Sequence, residues 1–335
     1  MQHPGVFYLD PGCTREIEEY LRTRRWIRES EQIERVEPAG AGNMNCTVRV
    51  RTTARSFILK QSRPWVEKYP DISAPWDRAL VEGNFYEWIA AYPDVARYVP
   101  RMLGMDSEAR LLILEDLGTG GDLTYLYQGG TLDGPLLRQL LDFLSKLHRA
   151  SERAATGDAF ANLEMRTLNH EHIFSLPLRP DNGLDLDGIT PGLQHSASAL
   201  ITDQQFRATV VELGRIYLDT GPSLLHGDYF PGSWFRTARE IRIIDPEFCF
   251  FGPPEFDAGC MIAHLHLATQ PAHAVSASVT HFGNSGMNLK LMSQFAGVEI
   301  MRRLIGVAQL PVTYGLARKN ALLNLSRQLV QDALG

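Results

Sequence analysis

The sequence predicts an α+β protein in two lobes, an antiparallel sheet plus one helix in the first and a mainly helical second lobe. Three observations carry this reading. Short apolar runs separated by turn residues fill most of positions 1–115. The segment Glu115-Asp116-Leu117-Gly118-Thr119-Gly120-Gly121 then changes abruptly from apolar to glycine-rich. Beyond it, Leu136, Leu137, Leu140, Leu141, Leu144 and Leu147 recur at helical spacing with a broad apolar face. The lobes are therefore placed at 1–115 and 116–335.

In the first lobe a helix is expected over 14–28, with Thr14 as its cap and acids in its first turn. Strands follow at 33–36, 46–50 and 56–60, the first two joined by the turn Pro38-Ala39-Gly40-Ala41-Gly42-Asn43. A helix over 75–91 carries Leu80, Phe85 and Trp88 on one side, and strands at 99–103 and 111–114 complete the sheet. In the second lobe, helices are expected at 135–149, 203–218, 254–269, 288–308 and 314–333. Residues 151–195 are rich in Asn, Asp, Gly and Pro and read as loops with short helices. Two short strands end at Leu225 and Ile244.

Composition removes several classes of function. With 44% hydrophobic residues among 335, the chain can bury a sizeable core, and its net charge of -6 gives no overall attraction to nucleic acid or an anionic membrane. Arg22, Arg24, Arg25 and Arg28 read as a solvated helix face. Cys13, Cys46, Cys249 and Cys260 form no C-x-x-C pair, which argues against zinc and redox motifs and fits a reduced cytoplasmic protein. The start, MQHPGVFYLD, lacks the pattern of a signal peptide, and no apolar run is long enough to span a bilayer.

The chemistry concentrates in two triplets. His226-Gly227-Asp228 ends one apolar run and Asp245-Pro246-Glu247 ends another. If the two strands are adjacent, three carboxylates converge: Asp228 receives an acceptor hydroxyl, while Asp245 and Glu247 offer magnesium the hard oxygens it prefers. A single Asp-Pro reads only as a strand-end turn; the combination with Asp228 is what points to phosphoryl transfer. His226 reads as structural, bonding to backbone in its loop. Backbone N–H groups at Gly232 and Ser233 could approach a transferred phosphoryl group.

The glycine turn lies between strands, which excludes the phosphate loops that open a helix. Taken alone it is an ordinary hairpin turn, yet Gly40, Gly42 and Asn43 could also fold over ATP phosphates. Lys60 at the end of the third strand could meet the α- and β-phosphates, with Glu82 on the next helix as its ion-pair partner. Backbone around Glu115 and Leu117 could bond adenine, and reads equally as an ordinary strand end. Arg302 and Arg303, on a helix, suit an anionic group near the cleft, although a solvated charge pair is the plain alternative.

These residues, in this order, resemble the aminoglycoside phosphotransferase and choline kinase superfamily, and within it the methylthioribose kinases. The stretches that carry the resemblance are AGNMN at 41–45, NHEHIFSLPL at 169–178, DNGLDLDGITPGLQ at 181–194, HGDYFPGSW at 226–234, IDPEFCFFGPPEFD at 244–257 and EIMRRLIGVAQ at 299–309. The resemblance implies a two-lobed protein-kinase-like fold and a cytoplasmic enzyme of methionine salvage. ATP and Mg2+ would be its cofactors, and it would phosphorylate a sugar, 5-methylthioribose or a related 5-deoxypentose. It implies Asp228 as the catalytic carboxylate, Asp245 and Glu247 as metal ligands, Arg302 and Arg303 as the substrate-binding pair, and Gly40, Gly42, Asn43 and Lys60 in ATP-binding positions. No nucleic-acid or membrane partner is expected, and a homodimer is left open. The chain departs from the family pattern at Ala41, where an Asp is usual, and at Phe230-Pro231, where a His-Thr pair is usual; Ser233 stands where the wider superfamily has a magnesium-binding Asn. Two alternatives stand beside this reading: an aminoglycoside or aminoalcohol phosphotransferase, and an inactive nucleotide-binding regulatory protein.

Overall fold

The computed structural model describes residues 3–40, 42, 44–152 and 157–331. The chain divides into two compact units, Met1–Thr119 and Gly120–Gly335.

The first unit contains α1 (Thr14–Thr23), β1 (Ile33–Pro38), β2 (Cys46–Thr52), β3 (Ser56–Gln61), β4 (Trp65–Val66), β5 (Tyr69–Ser73), α2 (Arg78–Ile89), α3 (Pro93–Ala96), β6 (Met102–Asp106) and β7 (Leu111–Glu115). Five strands form an antiparallel sheet in the order β1-β2-β3-β7-β6. Alternation sets its faces. Cys46, Val48 and Val50 of β2, with Phe57 and Leu59 of β3, join Ile17 and Leu21 of α1 in one apolar core. Successive side chains point to opposite faces, so Ile58 and Lys60 face the other way. On that side Gly83 lets α2 approach closely, because a Cβ there would lie 2.4 Å from the Met105 sulfur and 3.2 Å from Leu112. The segment before α1 is tied to the end of β3 by the fully buried Gln61, whose side chain bonds Leu9 N–H and the carbonyls of Phe7 and Ala109.

Several expectations for this unit are corrected. α1 ends at Thr23 rather than 28, and the chain turns through Arg25 at φ +58. Arg22, Arg24, Arg25 and Arg28 are exposed as expected, but only Arg22 lies on the helix; Arg24 pairs with the buried Asp106 at 2.6 Å, and Arg22 bonds the Glu31 carbonyl. The cap of α1 is Cys13, with no side-chain bond to the helix, so Thr14 does not cap it. β6 begins at Met102 rather than 99, because Pro100 has no N–H for a ladder and Tyr92–Val99 instead close a short helical turn. The β4-β5 hairpin was not foreseen; β5 is exposed throughout, so no apolar alternation announces it.

The second unit contains β8 (Gly121–Asp122), α4 (Gly134–Ser151), α5 (Leu163–His170), α6 (Leu186–Ile189), α7 (Leu193–Ile201), α8 (Gln204–Leu218), β9 (Ser223–Leu225), β10 (Trp234–Arg236), β11 (Ile241–Ile243), β12 (Phe250–Gly252), α9 (Pro254–Leu267), α10 (Ala272–Asn284), α11 (Leu289–Ile305) and α12 (Leu316–Gln331). Helix starts follow capping chemistry: Asp133, Asp203 and Asn288 each accept a hydrogen bond from a backbone N–H three residues on. α11 is buried along nearly its whole length, so it carries little amphipathic signal and is packed on several sides. Glycines permit this. A Cβ on Gly259 of α9 would sit 2.7 Å from the Met292 carbonyl oxygen, and one on Gly297 would sit 2.7 Å from that of Ser326 in α12. α10 was missed in the sequence because its inner stripe is Ala274, Ser278 and Phe282, too small and polar to register as apolar periodicity.

The expectation that the strands ending at Leu225 and Ile244 are adjacent is not met. β9 pairs with β12, whereas β11 pairs with β10 and β10 with β8. The two motif loops leave different small sheets and are joined by side-chain and loop hydrogen bonds instead.

Candidate functional site

In the second unit the loop after β9 is shaped by its backbone. Gly227 has φ +85, and a Cβ there would lie 2.1 Å from the Phe248 carbonyl oxygen. Only glycine satisfies both demands. The N–H groups of His226 and Gly227 donate to the two oxygens of Asp257, at 2.7 and 3.0 Å. Asp257, fully buried on α9, also lies 3.3 Å from His148 Nε2. Its position in GPPEFD was part of the quoted pattern, but nothing in the sequence identified it as the residue that holds the Asp228 loop.

His226 is structural, as expected, but it reaches further than its own loop. Its Nε2 lies 3.0 Å from the Ile244 carbonyl oxygen, and its Nδ1 accepts the Asp228 N–H at 3.4 Å. It thus links the Asp228 loop to the chain just before Asp245. Ser233 makes a second link. Its hydroxyl donates to the Asp228 carbonyl at 2.8 Å, and its own carbonyl accepts the Ile244 N–H at 3.0 Å. The Ser233 N–H is already bonded to the Phe230 carbonyl at 2.8 Å, so the expectation that it faces a phosphoryl group gives way to a role in the turn. Gly232 leaves room for the Phe230 ring, whose tip lies 2.4 Å from where a Cβ would sit.

Asp245 is exposed and has φ +69, left-handed backbone that Asp tolerates better than most residues but that still stores strain. Glu247 is buried. The Asn162 side chain clamps this turn from outside, donating to the Glu247 and Cys249 carbonyls at 2.9 and 3.0 Å. Among the described residues, no three His, Cys, Asp or Glu side chains are grouped as a metal cage. Asp228 faces cations: its Oδ1 lies 3.5 Å from Arg302 and 3.2 Å from Arg303, while the side chain keeps 24% exposure.

Both arginines occupy the last turn of α11, where the helix dipole favours positive charge. Glu299, one turn earlier, accepts from both and from His264 Nε2 at 2.9 Å. Burial raises the Glu299 carboxyl, but the two guanidinium groups outweigh it and hold the acid well below the usual range. Burial pushes His264 down to about 4, with the arginines adding to the effect and Glu299 opposing it. His264 is thus neutral at pH 7, and Tyr127 lies 2.6 Å from its Nδ1. The π-helical turn Glu171–Ser175 carries His172, a further residue that sequence reasoning did not single out. Its pKa is lowered by burial and then by the charge of Arg302. Such turns interrupt helices frequently at functional positions.

His264 gives a prediction for stability. Its folded pKa lies below the unfolded value near 6.5, so the unfolded chain takes up the extra proton as pH falls. The stabilisation is complete above pH 6.5 and is lost progressively toward pH 4, up to about 3 kcal/mol for a shift of this size. Urea unfolding at pH 7.5 and 4.5 should show this loss, and His264→Gln should reduce the pH dependence. An unchanged dependence in the variant would rule out His264 as its source.

In the first unit, Lys60 Nζ lies 2.5 Å from Glu82 Oε2, both residues are buried, and the Tyr86 hydroxyl bonds the other Glu82 oxygen at 3.2 Å. The sequence-predicted pair therefore exists. Gly40 has φ +98 with open space around a hypothetical Cβ, and Gly42 has only the Asn45 carbonyl oxygen at 3.7 Å. Asn43 and Ala41 lie outside the described residues. The base of this turn is held by Arg78, which sequence reasoning missed; its buried guanidinium donates to Asn45 Oδ1 and to the carbonyls of Met44, Arg63 and Pro75. The Glu115 N–H is committed to the Arg101 carbonyl at 2.8 Å. Leu117 follows in irregular backbone just before Gly118, φ +78.

The chain is 29% identical over 251 residues to methylthioribose kinase of Exiguobacterium sibiricum, covering 70% of the chain and 61% of that relative. It is 27% identical over 351 residues to the methylthioribose kinase of Geobacillus thermodenitrificans, covering 88% and 86%. The chain thus spans less than two thirds of some relatives, 58% in a Geobacillus sp. methylthioribose kinase, and most of others. Among solved structures, choline kinase LicA from Streptococcus pneumoniae superposes with a TM-score of 0.54 at 11% identity, over 96% of this chain and 99% of that one. An aminoglycoside phosphotransferase APH(4)-Ia bound to ADP and hygromycin B gives 0.52 at 12%, over 96% and 99%. These likenesses show the fold, an α+β protein-kinase-like one. No helix among the described residues is long and apolar enough to cross a membrane. The sequence pattern of the phosphotransferase enzyme family matches residues 35–283, well over half of the chain, and the chain belongs to that family.

Proposed function

We propose that the protein transfers the γ-phosphoryl group of ATP to a hydroxyl of a small sugar, with 5-methylthioribose or a related 5-deoxypentose as the leading acceptor. The observation that carries this is the partly exposed Asp228 beside two buried arginines on α11. A carboxylate in that position can orient a hydroxyl and take its proton late in transfer, while guanidinium groups stabilise charge on the phosphoryl oxygens. The names of relatives at 26–29% identity support the sugar class. An aminoglycoside or aminoalcohol acceptor is less favoured, because Arg302 and Arg303 would repel a polycation next to Asp228.

Lys60, fixed by Glu82, would hold the α- and β-phosphates, with Gly40, Gly42 and Asn43 in the turn over them and backbone near Glu115 and Leu117 for adenine. Asp245 and Glu247 fit magnesium: both donate hard carboxylate oxygens from a turn made rigid by Pro246 and by the Asn162 clamp. Magnesium there would supply charge neutralisation on the phosphates. Four free cysteines agree with a reducing compartment such as the cytoplasm.

The test is an ATP-coupled assay of 5-substituted riboses beside aminoglycosides. Turnover with a 5-substituted pentose is expected; turnover with aminoglycosides alone would replace the substrate class. ATP binding without turnover on any acceptor would favour a nucleotide-binding regulator. Lys60→Met should weaken ATP binding about 10-fold or more, since it removes a charge-assisted contact worth roughly 1.5–3 kcal/mol. Fluorescent-nucleotide titration checks this, and unchanged affinity would take Lys60 out of the nucleotide site.

A further inference from the structure

Arg302 and Arg303 make the same bridge twice. Arg302 gives its Nε–H to Glu299 Oε2 at 2.5 Å and turns a terminal nitrogen toward Asp228 Oδ1 at 3.5 Å. Arg303 gives its Nε–H to Glu299 Oε1 at 2.8 Å and turns a terminal nitrogen toward the same Asp228 oxygen at 3.2 Å. Adjacent residues on a helix diverge by about 100°. Two neighbouring side chains reach one atom only if something draws them together, and both positive charges are buried where their mutual repulsion is weakly screened.

Glu299 meets both requirements, and it is braced from behind. His264 Nε2 lies 2.9 Å from Oε1, and the Tyr127 hydroxyl lies 2.6 Å from His264 Nδ1. With Nδ1 accepting from Tyr127, the imidazole proton sits on Nε2 and points at the glutamate. Phe230 lies over Arg303, its ring centroid 4.7 Å from the guanidinium carbon.

We propose that Glu299 is the positioning residue of this site, braced by His264 and Tyr127, and that it aligns both guanidinium groups so that their terminal N–H edges face Asp228 and the anion handled beside it. Glu299 touches no reacting atom; it acts through the arginines. The catalytic part of this inference rests on the phosphotransfer reading, whereas the alignment part does not.

Glu299→Gln preserves shape, but its amide accepts from one arginine and sets an N–H against the other. We expect kcat to fall about 10- to 100-fold, the range seen when groups that orient a functional shell are removed, with nucleotide affinity in the folded variant unchanged. In an Arg303→Ala background the same change should cost far less, because a residue that acts through the arginine couples to it. A merely structural role would give additive losses, and that result would overturn the proposal. Nitrogen-15 spectra supply the readout independent of activity. The assigned Arg302 and Arg303 Nε–H signals should be protected from exchange in wild type and lose that protection in Glu299→Gln, while the buried Arg78 Nε–H, bonded to Asn45, keeps its own; retained protection at Arg302 and Arg303 would overturn the alignment. If wild type phosphorylates no acceptor, the phosphotransfer reading fails and the catalytic part falls with it, while the spectra still decide the alignment. If Glu299→Gln does not fold, Tyr127→Phe, which removes one hydroxyl, should lower kcat and weaken protection in the same direction, and no change in either would count against the brace.

Discussion

Asp228→Asn is expected to reduce turnover by about 10²- to 10⁴-fold, the range typical of a positioned acid–base group. The amide keeps the size of the side chain but can neither take the hydroxyl proton nor balance the charge of Arg302 and Arg303 at 3.5 and 3.2 Å. The loop itself should survive, since its backbone is held by Asp257, His226 and Ser233 rather than by the Asp228 carboxylate. Nucleotide affinity should therefore persist while kcat collapses. Steady-state kinetics beside nucleotide titration would check this, and wild-type turnover in the variant would remove Asp228 from the chemistry.

The second large effect is on stability. Asp257→Ala deprives the His226 and Gly227 N–H groups of their acceptor and leaves His148 without its carboxylate. Each unsatisfied buried donor costs about 1–3 kcal/mol, so a loss of roughly 3–5 kcal/mol is expected, with activity falling further than stability because the Asp228 loop relaxes. Asp257→Asn should be milder, as one oxygen still accepts. Urea unfolding of the pair gives the comparison, and a loss below about 1 kcal/mol in Asp257→Ala would mean that the loop is held by other contacts.

Much of the site was legible because its chemistry is local in sequence. His226-Gly227-Asp228, Asp245-Pro246-Glu247 and Arg302-Arg303 are contiguous groups whose residue types state a purpose, and Lys60 and Glu82 were found from their order along the chain. The supporting residues were not legible. Arg78, Asn162 and Asp257 make bonds to residues far away along the chain, up to 109 positions for Asp257 and His148, and His172 acts through a buried field; a lone Arg, Asn, His or Asp carries no such signal in a sequence. The expectation of adjacent strands failed for a related reason. Runs of three residues such as Ser223–Leu225 and Ile241–Ile243 say that a strand exists, but not which edge it will find.

From the order of its residues alone, this chain declares a sheet-and-helix first unit, a helical second unit, and the acids and arginines placed between apolar runs, because alternation, helical spacing and turn chemistry act over a few residues. Tertiary structure alone decided that Asp228 faces two guanidinium groups, both held by the buried Glu299. That choice depends on α11 bringing Glu299, Arg302 and Arg303 to the loop after β9, and in a buried setting opposite charges must meet while like charges are kept apart.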